Sequence, residues 1–338
     1  MTEPALVPGA TSERLRRAWL VGTVALTLAA YALAIGSAPA AGADPARALT
    51  WLLFIGSSAH VASTGWFSFL PQVRGYARTR PRRYLIAPAA LVAGTALVAA
   101  VLAPQRFVWL LLVFFAWQFF HFQKQNLGLA ALAGVSHGVG SLDGTERGAI
   151  MATGIAGIAG LLWHPELLQL GVRPPLRLGF SLAGAAFALG VAFGLWCLGR
   201  RPRSQRPAPF VVVYLMGLLF FAPVFLFRSP YAAVAGLTIA HGLQYLLLMG
   251  FVAGGEPTGH RRTISLAVLV NATLLGGLAL NAASHLHDAQ PVGRALFGAY
   301  LGVVMAHFVI DAGIWRLRDS FPRQMLTARV PYLLKPVR

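Results

Sequence analysis

Apolar residues gather in long runs separated by short stretches rich in Arg, Pro and Gly. A helix needs about 17–25 such residues to cross about 30 Å of hydrocarbon. Ten runs are candidates: 17–36, 49–70, 84–103, 107–130, 149–163, 177–198, 208–227, 231–253, 263–283 and 294–315. The fifth is short, as in a tilted or re-entrant segment. No stretch alternates with period two over the length of a barrel strand, so the spanning element is the helix, which satisfies its own backbone in lipid. The first run follows Arg14, Arg16 and Arg17 and is as long as its neighbours, so it reads as an anchor rather than a cleaved signal.

Composition points the same way. Hydrophobic residues make up 57% of the 338 positions and charged ones 11%, against about 25% charged in a soluble domain. That apolar excess is too large for one soluble core, and the same abundance excludes disorder. A single cysteine, Cys197, excludes a disulfide framework and a thiolate zinc cluster. The expected fold is therefore all-α: one polytopic membrane bundle of about ten helices over residues 1–338, with no appended soluble domain. Pro174-Pro175 and the joint from Pro202 to Pro209 read as loops between spans.

Charge placement orients the bundle. With the N-terminus in the cytoplasm and ten alternating spans, 22 basic residues fall inside and six outside: Arg47, Arg106, Arg173, Arg177, Arg228 and Arg294. This is the asymmetry of the positive-inside rule, and it predicts an inner-membrane protein with both termini cytoplasmic. The net charge of +18 then belongs to orientation and to anionic lipid headgroups, not to nucleic acid, since no basic platform interleaved with aromatics occurs.

Ionisable side chains at membrane depth are costly and usually face an interior site. Four histidines lie inside spans, one each on the second, fourth, eighth and tenth: His60, His121, His241 and His307. Those four helices run in the same direction. At about 1.5 Å per residue, all four rings lie roughly 15–21 Å below the outer surface. The remaining histidines, His137, His164, His260, His285 and His287, fall in loops or at interfaces.

Each of the four sits on a polar stripe. Gln118, His121 and Gln125 share one face of the fourth helix, with Lys124 and Asn126 toward the cytoplasmic mouth; Gln244 and Tyr245 follow His241 by one turn. His307 and Asp311 form an i, i+4 pair, and hydroxyls flank His60 at Ser57, Ser58, Ser63 and Thr64. Neutral imidazole is a common transition-metal ligand, and its second ring nitrogen needs an outer acceptor, a part open to Gln118, Gln244, Ser57 or Asp311. Asp311 alternatively completes a two-histidine, one-carboxylate face around iron. A carboxylate-bridged di-iron centre needs several glutamates, and Asp311 is the one acidic residue well inside a span, so a mononuclear centre fits better. Haem is a competitor that would use two of the four histidines, and another transition metal is open as well.

Through the histidine-bearing stretches of the second, fourth, eighth and tenth helices the chain resembles the Brp/Blh-type β-carotene 15,15′-dioxygenases. His121-Phe122-Gln123-Lys124-Gln125-Asn126 and His307 to Arg316 are particular to this chain and do not match that family's motifs residue for residue. The resemblance rests on four histidines in a polytopic bacterial membrane protein. It implies non-haem iron (Fe2+), dioxygen chemistry and a lipophilic substrate taken from the bilayer. On this reading His60, His121, His241 and His307 are metal ligands, Asp311 and Tyr245 act beside them, and Gln118, Gln125, Asn126 and Gln244 line the pocket. Trp66, Trp117, Phe119, Phe120 and Phe122 suit a polyene slot or ordinary packing equally. The same residues also suit a transporter with a His/Asp pathway, although no inverted repeat or paired broken helices are found. A structural subunit of a larger membrane complex needs no site at all.

Overall fold

A computed structural model describes residues 9–40, 43–172, 178–256, 259–287 and 290–334. The sequence features at Arg173, Pro174-Pro175 and Arg177 lie outside the described residues. Among the described residues the chain is helical and contains no strand. We number ten principal helical elements: α1 (Gly9–Gly36), α2 (47–69), α3 (Arg82–Val101), α4 (Pro104–Ser136), α5 (Gly144–Trp163), α6 (Gly179–Arg200), α7 (208–226), α8 (Tyr231–Gly254), α9 (Gly259–Ser284) and α10 (Pro291–Ile314). Seven of these, α1, α3, α4, α6, α8, α9 and α10, carry windows long and apolar enough to cross a membrane. By length and composition the protein is a helical membrane protein.

The other three each depart from a plain span for a local reason. In α2 the α-helix Arg47–Phe54 gives way to a π-turn at Ile55–Ala59, one α-turn at His60–Ser63 and a 3-10 stretch at Thr64–Phe69. In α5 the helix begins at Gly144, five residues before the apolar run, because Asp143 caps it. The Asp143 carboxylate accepts from the Glu146 amide at 2.8 Å, and Glu146 accepts in return from the Asp143 amide at 3.0 Å. The Glu146 amide and the Thr145 hydroxyl hold the Asp143 carboxyl below the usual carboxylate range. In α7 the first helix stops at Leu219 and a short one, Ala222–Leu226, follows. Pro223 has no N–H to offer Leu219, so the ladder breaks there.

The chain forms two compact units. The first comprises 1–50, 119–244 and 330–338; the second comprises 51–118 and 245–329. Within the first, α5 packs along α6, and α1 packs on the turn that opens α8. Glu146 is buried there and bound by Arg201 through both carboxylate oxygens at 2.8 Å. Arg16 reaches the carbonyl of Tyr332 at 3.2 Å, tying α1 to the C-terminal segment.

Within the second unit α3 packs along α10. Lipid offers no hydrophobic drive for helices to associate, so close backbone approach must supply the attraction. Gly298 and Gly302, four apart on α10, permit it: the first faces the Thr95 carbonyl, and a Cβ at the second would lie 2.5 Å from Val92 Cα. An apolar layer of Val61, Phe114, Phe297, Leu301, Val304, Met305 and Phe308 fills the space beside this seam. A further helix, Ser320–Arg329, follows the tenth apolar run. It ends with Arg329 buried, donating to the Val252 carbonyl at 3.2 Å and to Glu256 at 2.7 Å.

The glycine seam yields a direct test. Gly302→Leu should cost roughly 1–3 kcal/mol or more through overpacking, lowering the thermal midpoint in detergent by several degrees. Gly94→Ala, at a helical position with open space around it, should leave the midpoint unchanged or slightly raised. Equal behaviour of the two variants would show that the seam does not carry the packing.

Candidate metal centre

The four histidines His60, His121, His241 and His307 occur as two pairs, one within each unit. In the second unit the rings of His60 and His307 meet edge to face with centroids 5.2 Å apart. In the first unit His121 and His241 do the same at 5.1 Å. His60, His241 and His307 are 1–2% exposed, and His121 is partly buried.

His60 follows the π-turn directly, and its amide closes that turn on the Ser57 carbonyl. Such single-turn π-bulges widen a helix and re-aim the side chains around them. Ser57 and Ser63 do not reach a ring: their hydroxyls donate to the carbonyls of Leu53 and His60 on their own helix. Thr64, one turn beyond His60, instead contacts His307 Nδ1 at 2.7 Å and the Tyr245 hydroxyl at 2.9 Å. Tyr245 donates to Asp311 Oδ1 at 2.9 Å. Asp311 Oδ2 lies 3.7 Å from His307 Nε2, beyond hydrogen-bond range. Arg316 pairs at 3.7 Å with Asp319, its i+3 neighbour.

The protons in this chain can be counted. The Tyr245 hydroxyl has one proton and gives it to Asp311 Oδ1. Tyr245 oxygen must then accept the single Thr64 proton, and Thr64 oxygen must accept from His307. In its neutral form His307 thus carries its proton on Nδ1, which leaves the lone pair on Nε2, 3.7 Å from Asp311 Oδ2. Three hydrogen bonds select the tautomer that a metal ligand requires.

In the first unit the Phe122 ring stacks on His241 at 3.9 Å, and Gln125 donates to the His241 carbonyl at 3.0 Å. Gln125 also donates to Gln244 Oε1 at 3.0 Å, and Gln244 passes the contact on to Thr27 at 2.7 Å. Thr27 and Thr23 continue the ladder along α1 by bonding the carbonyls of Thr23 and Trp19. Asn126 donates to Gln123, which is fully buried and donates to the carbonyls of Gly217 (3.1 Å) and Ile150. Gln123 fits only because Gly154 faces it without a side chain. Gln118 is partly buried, and no partner for its buried Oε1 is found among the described residues. Lys124 is exposed.

The aromatic residues divide by role. Trp66 is buried, with its indole donating to the Ser265 carbonyl; Trp117 packs edge to face on Phe308; Phe119 packs on Phe122; Phe120 is 40% exposed. Thr23, Thr27 and Gln123 are working polar residues that a search for ligands passes over, and Thr64, expected beside His60, bonds His307 instead. Their signal in the sequence is faint: a hydroxyl or amide in an apolar run, without a charge to mark it. No family model, curated protein or solved structure matches the chain.

The ladder in the first unit predicts a stability difference. Gln125→Leu removes the donor to the buried Gln244 Oε1 and should cost about 1–3 kcal/mol, read as a lower thermal midpoint. Lys124→Ala, at the exposed neighbouring position, should melt with the unaltered protein.

Proposed function

We propose that this protein is an inner-membrane metalloenzyme whose four intramembrane histidines ligate non-haem iron, acting as an oxygenase or related oxidoreductase on a lipophilic substrate from the bilayer. The observation that carries the reading is the spacing of the imidazoles. A ring nitrogen bound about 2.0–2.1 Å from an ion puts the ring centroid roughly 3.2 Å away. Two such rings then lie about 5.2 Å apart at a tetrahedral angle and about 6.4 Å apart on opposite sides. Both pairs, at 5.2 and 5.1 Å, have the spacing of neighbouring ligands. Neither pair leaves room for a porphyrin between its rings, which sets haem held by one pair aside.

The donor set suits iron: imidazole nitrogens with one carboxylate nearby. Iron, when bound, supplies Lewis-acid and redox chemistry. The chain's own residues supply orientation. Thr64 keeps the His307 proton on Nδ1, Tyr245 relays that constraint to Asp311, and the buried carboxylate anchors the order of protons. On this reading Gln118, Gln125, Asn126 and Gln244 are the polar lining residues. Ten spans with cytoplasmic termini complete the reading, since the 22-to-6 basic split favours an even count with the Arg-rich ends inside.

Metal analysis of the purified protein should find about one iron per chain and no Soret band. Replacing His307 or His241 by Ala should each remove it. Tyr245→Phe frees the Thr64 proton to turn toward His307 and should weaken iron affinity about 10–100-fold while the protein stays folded; Thr64→Val should do the same, and Thr64→Ser should restore it. A protein without metal, with the variants indistinguishable from it, would overturn the proposal and favour a proton pathway through Thr64, Tyr245 and Asp311. Reporter fusions after Arg316 should lie in the cytoplasm; a periplasmic signal there would remove the ten-span topology.

A further inference from the structure

The joint between α6 and α7 is built around arginines with different tasks. Arg201 is committed: it binds Glu146 and the Val139 carbonyl and lies 4.6 Å over the Phe210 ring. That anchor fixes where the loop leaves α6. Pro202 and Pro207 then bracket a 3-10 turn, Arg203–Gln205, closed by the Arg206 amide on the Arg203 carbonyl at 3.1 Å. In a 3-10 turn residues i and i+3 eclipse, so Arg203 and Arg206 stand on one side. Both line a cavity of about 410 Å³ whose other walls are Leu195, Leu198, Gly199 and Val211. Arg206 Nε is itself buried, and among the described residues no acceptor reaches it.

We propose that this cavity binds the phosphate of an anionic phospholipid, with its acyl chain along Leu195, Leu198 and Val211. Charge complementarity selects the occupant. Two guanidiniums facing one opening match a phosphodiester with no cation of its own, and a zwitterionic lipid would bring an ammonium against them. The apolar walls favour a lipid over a free anion. Leu195 is 49% exposed, and Trp196, 52% exposed, carries Arg200 stacked at 4.7 Å over its ring. An aromatic residue paired with an arginine at a helix end marks the level of the headgroups, where the phosphate of a bilayer lipid lies.

The test is lipid retention by the full-length protein, measured by native mass spectrometry from micelles holding equal phosphatidylglycerol and phosphatidylcholine. The wild-type chain should retain phosphatidylglycerol about tenfold over phosphatidylcholine. Arg203→Gln with Arg206→Gln should remove that preference. Arg78→Gln with Arg82→Gln, which lowers the net charge equally, should keep it. Equal retention of the two lipids by the wild type would overturn the site. So would an equal loss in both double variants, which would mean bulk charge alone. Displacement by inorganic phosphate as effective as that by short-chain phosphatidylglycerol would show that the apolar walls are not engaged, and would overturn the assignment to a lipid.

Discussion

A polar side chain inside an apolar helix must find its partner within the protein, because lipid offers none. That constraint organises both units. In the first, Gln125, Gln244, Thr27 and Thr23 hand hydrogen bonds from α4 through α8 to α1. In the second, His307, Thr64, Tyr245 and Asp311 form a chain in which each proton has one place to go. Each group constrains the next, so the order at Asp311 is felt at His307 without a direct hydrogen bond between them.

The two kinds of stabilisation divide the labour. Close packing at Gly298 and Gly302 holds α3 against α10 over a long seam, with many small dispersion contacts adding up. Hydrogen bonds between membrane helices contribute less than intuition suggests, about 0.6 kcal/mol on average, because polar groups also find partners in the unfolded membrane state. Their absence is dearer: a buried group left unpaired costs about 1–3 kcal/mol. The polar ladders therefore select one arrangement more than they add to its total stability. For His307, whose ring is held by that chain, selection is the property that matters.

Much of the fold was legible because membrane helices advertise themselves: each of the ten apolar runs is helical over most of its described residues. Their interruptions were less visible. The break before Pro223 follows from the missing N–H, but the π-turn ahead of His60 has no single residue as its signature. The start of α5 was hidden by charge, since Asp143 and Glu146 look like loop residues until the capping box and Arg201 neutralise them. The helix Ser320–Arg329 was missed because it is amphipathic and short, outside any apolar run. At the site, histidines and Asp311 stand out as ionisable groups in apolar sequence. Thr64 was legible only as a hydroxyl beside His60, because spacing along one helix cannot reveal a partner 243 residues away. The i, i+4 spacing of His307 and Asp311 suggested a direct contact, whereas Thr64 occupies Nδ1 and the carboxylate stands 3.7 Å from Nε2.

The central claim is that the imidazoles are ligands rather than packed aromatic rings. X-ray absorption at the iron edge of the purified, iron-loaded protein addresses it most directly. The account predicts nitrogen scatterers at about 2.0–2.1 Å with the outer-shell multiple scattering of imidazole, reduced in His60→Ala and in His241→Ala. An edge spectrum with oxygen neighbours alone, unchanged in both variants, would contradict it.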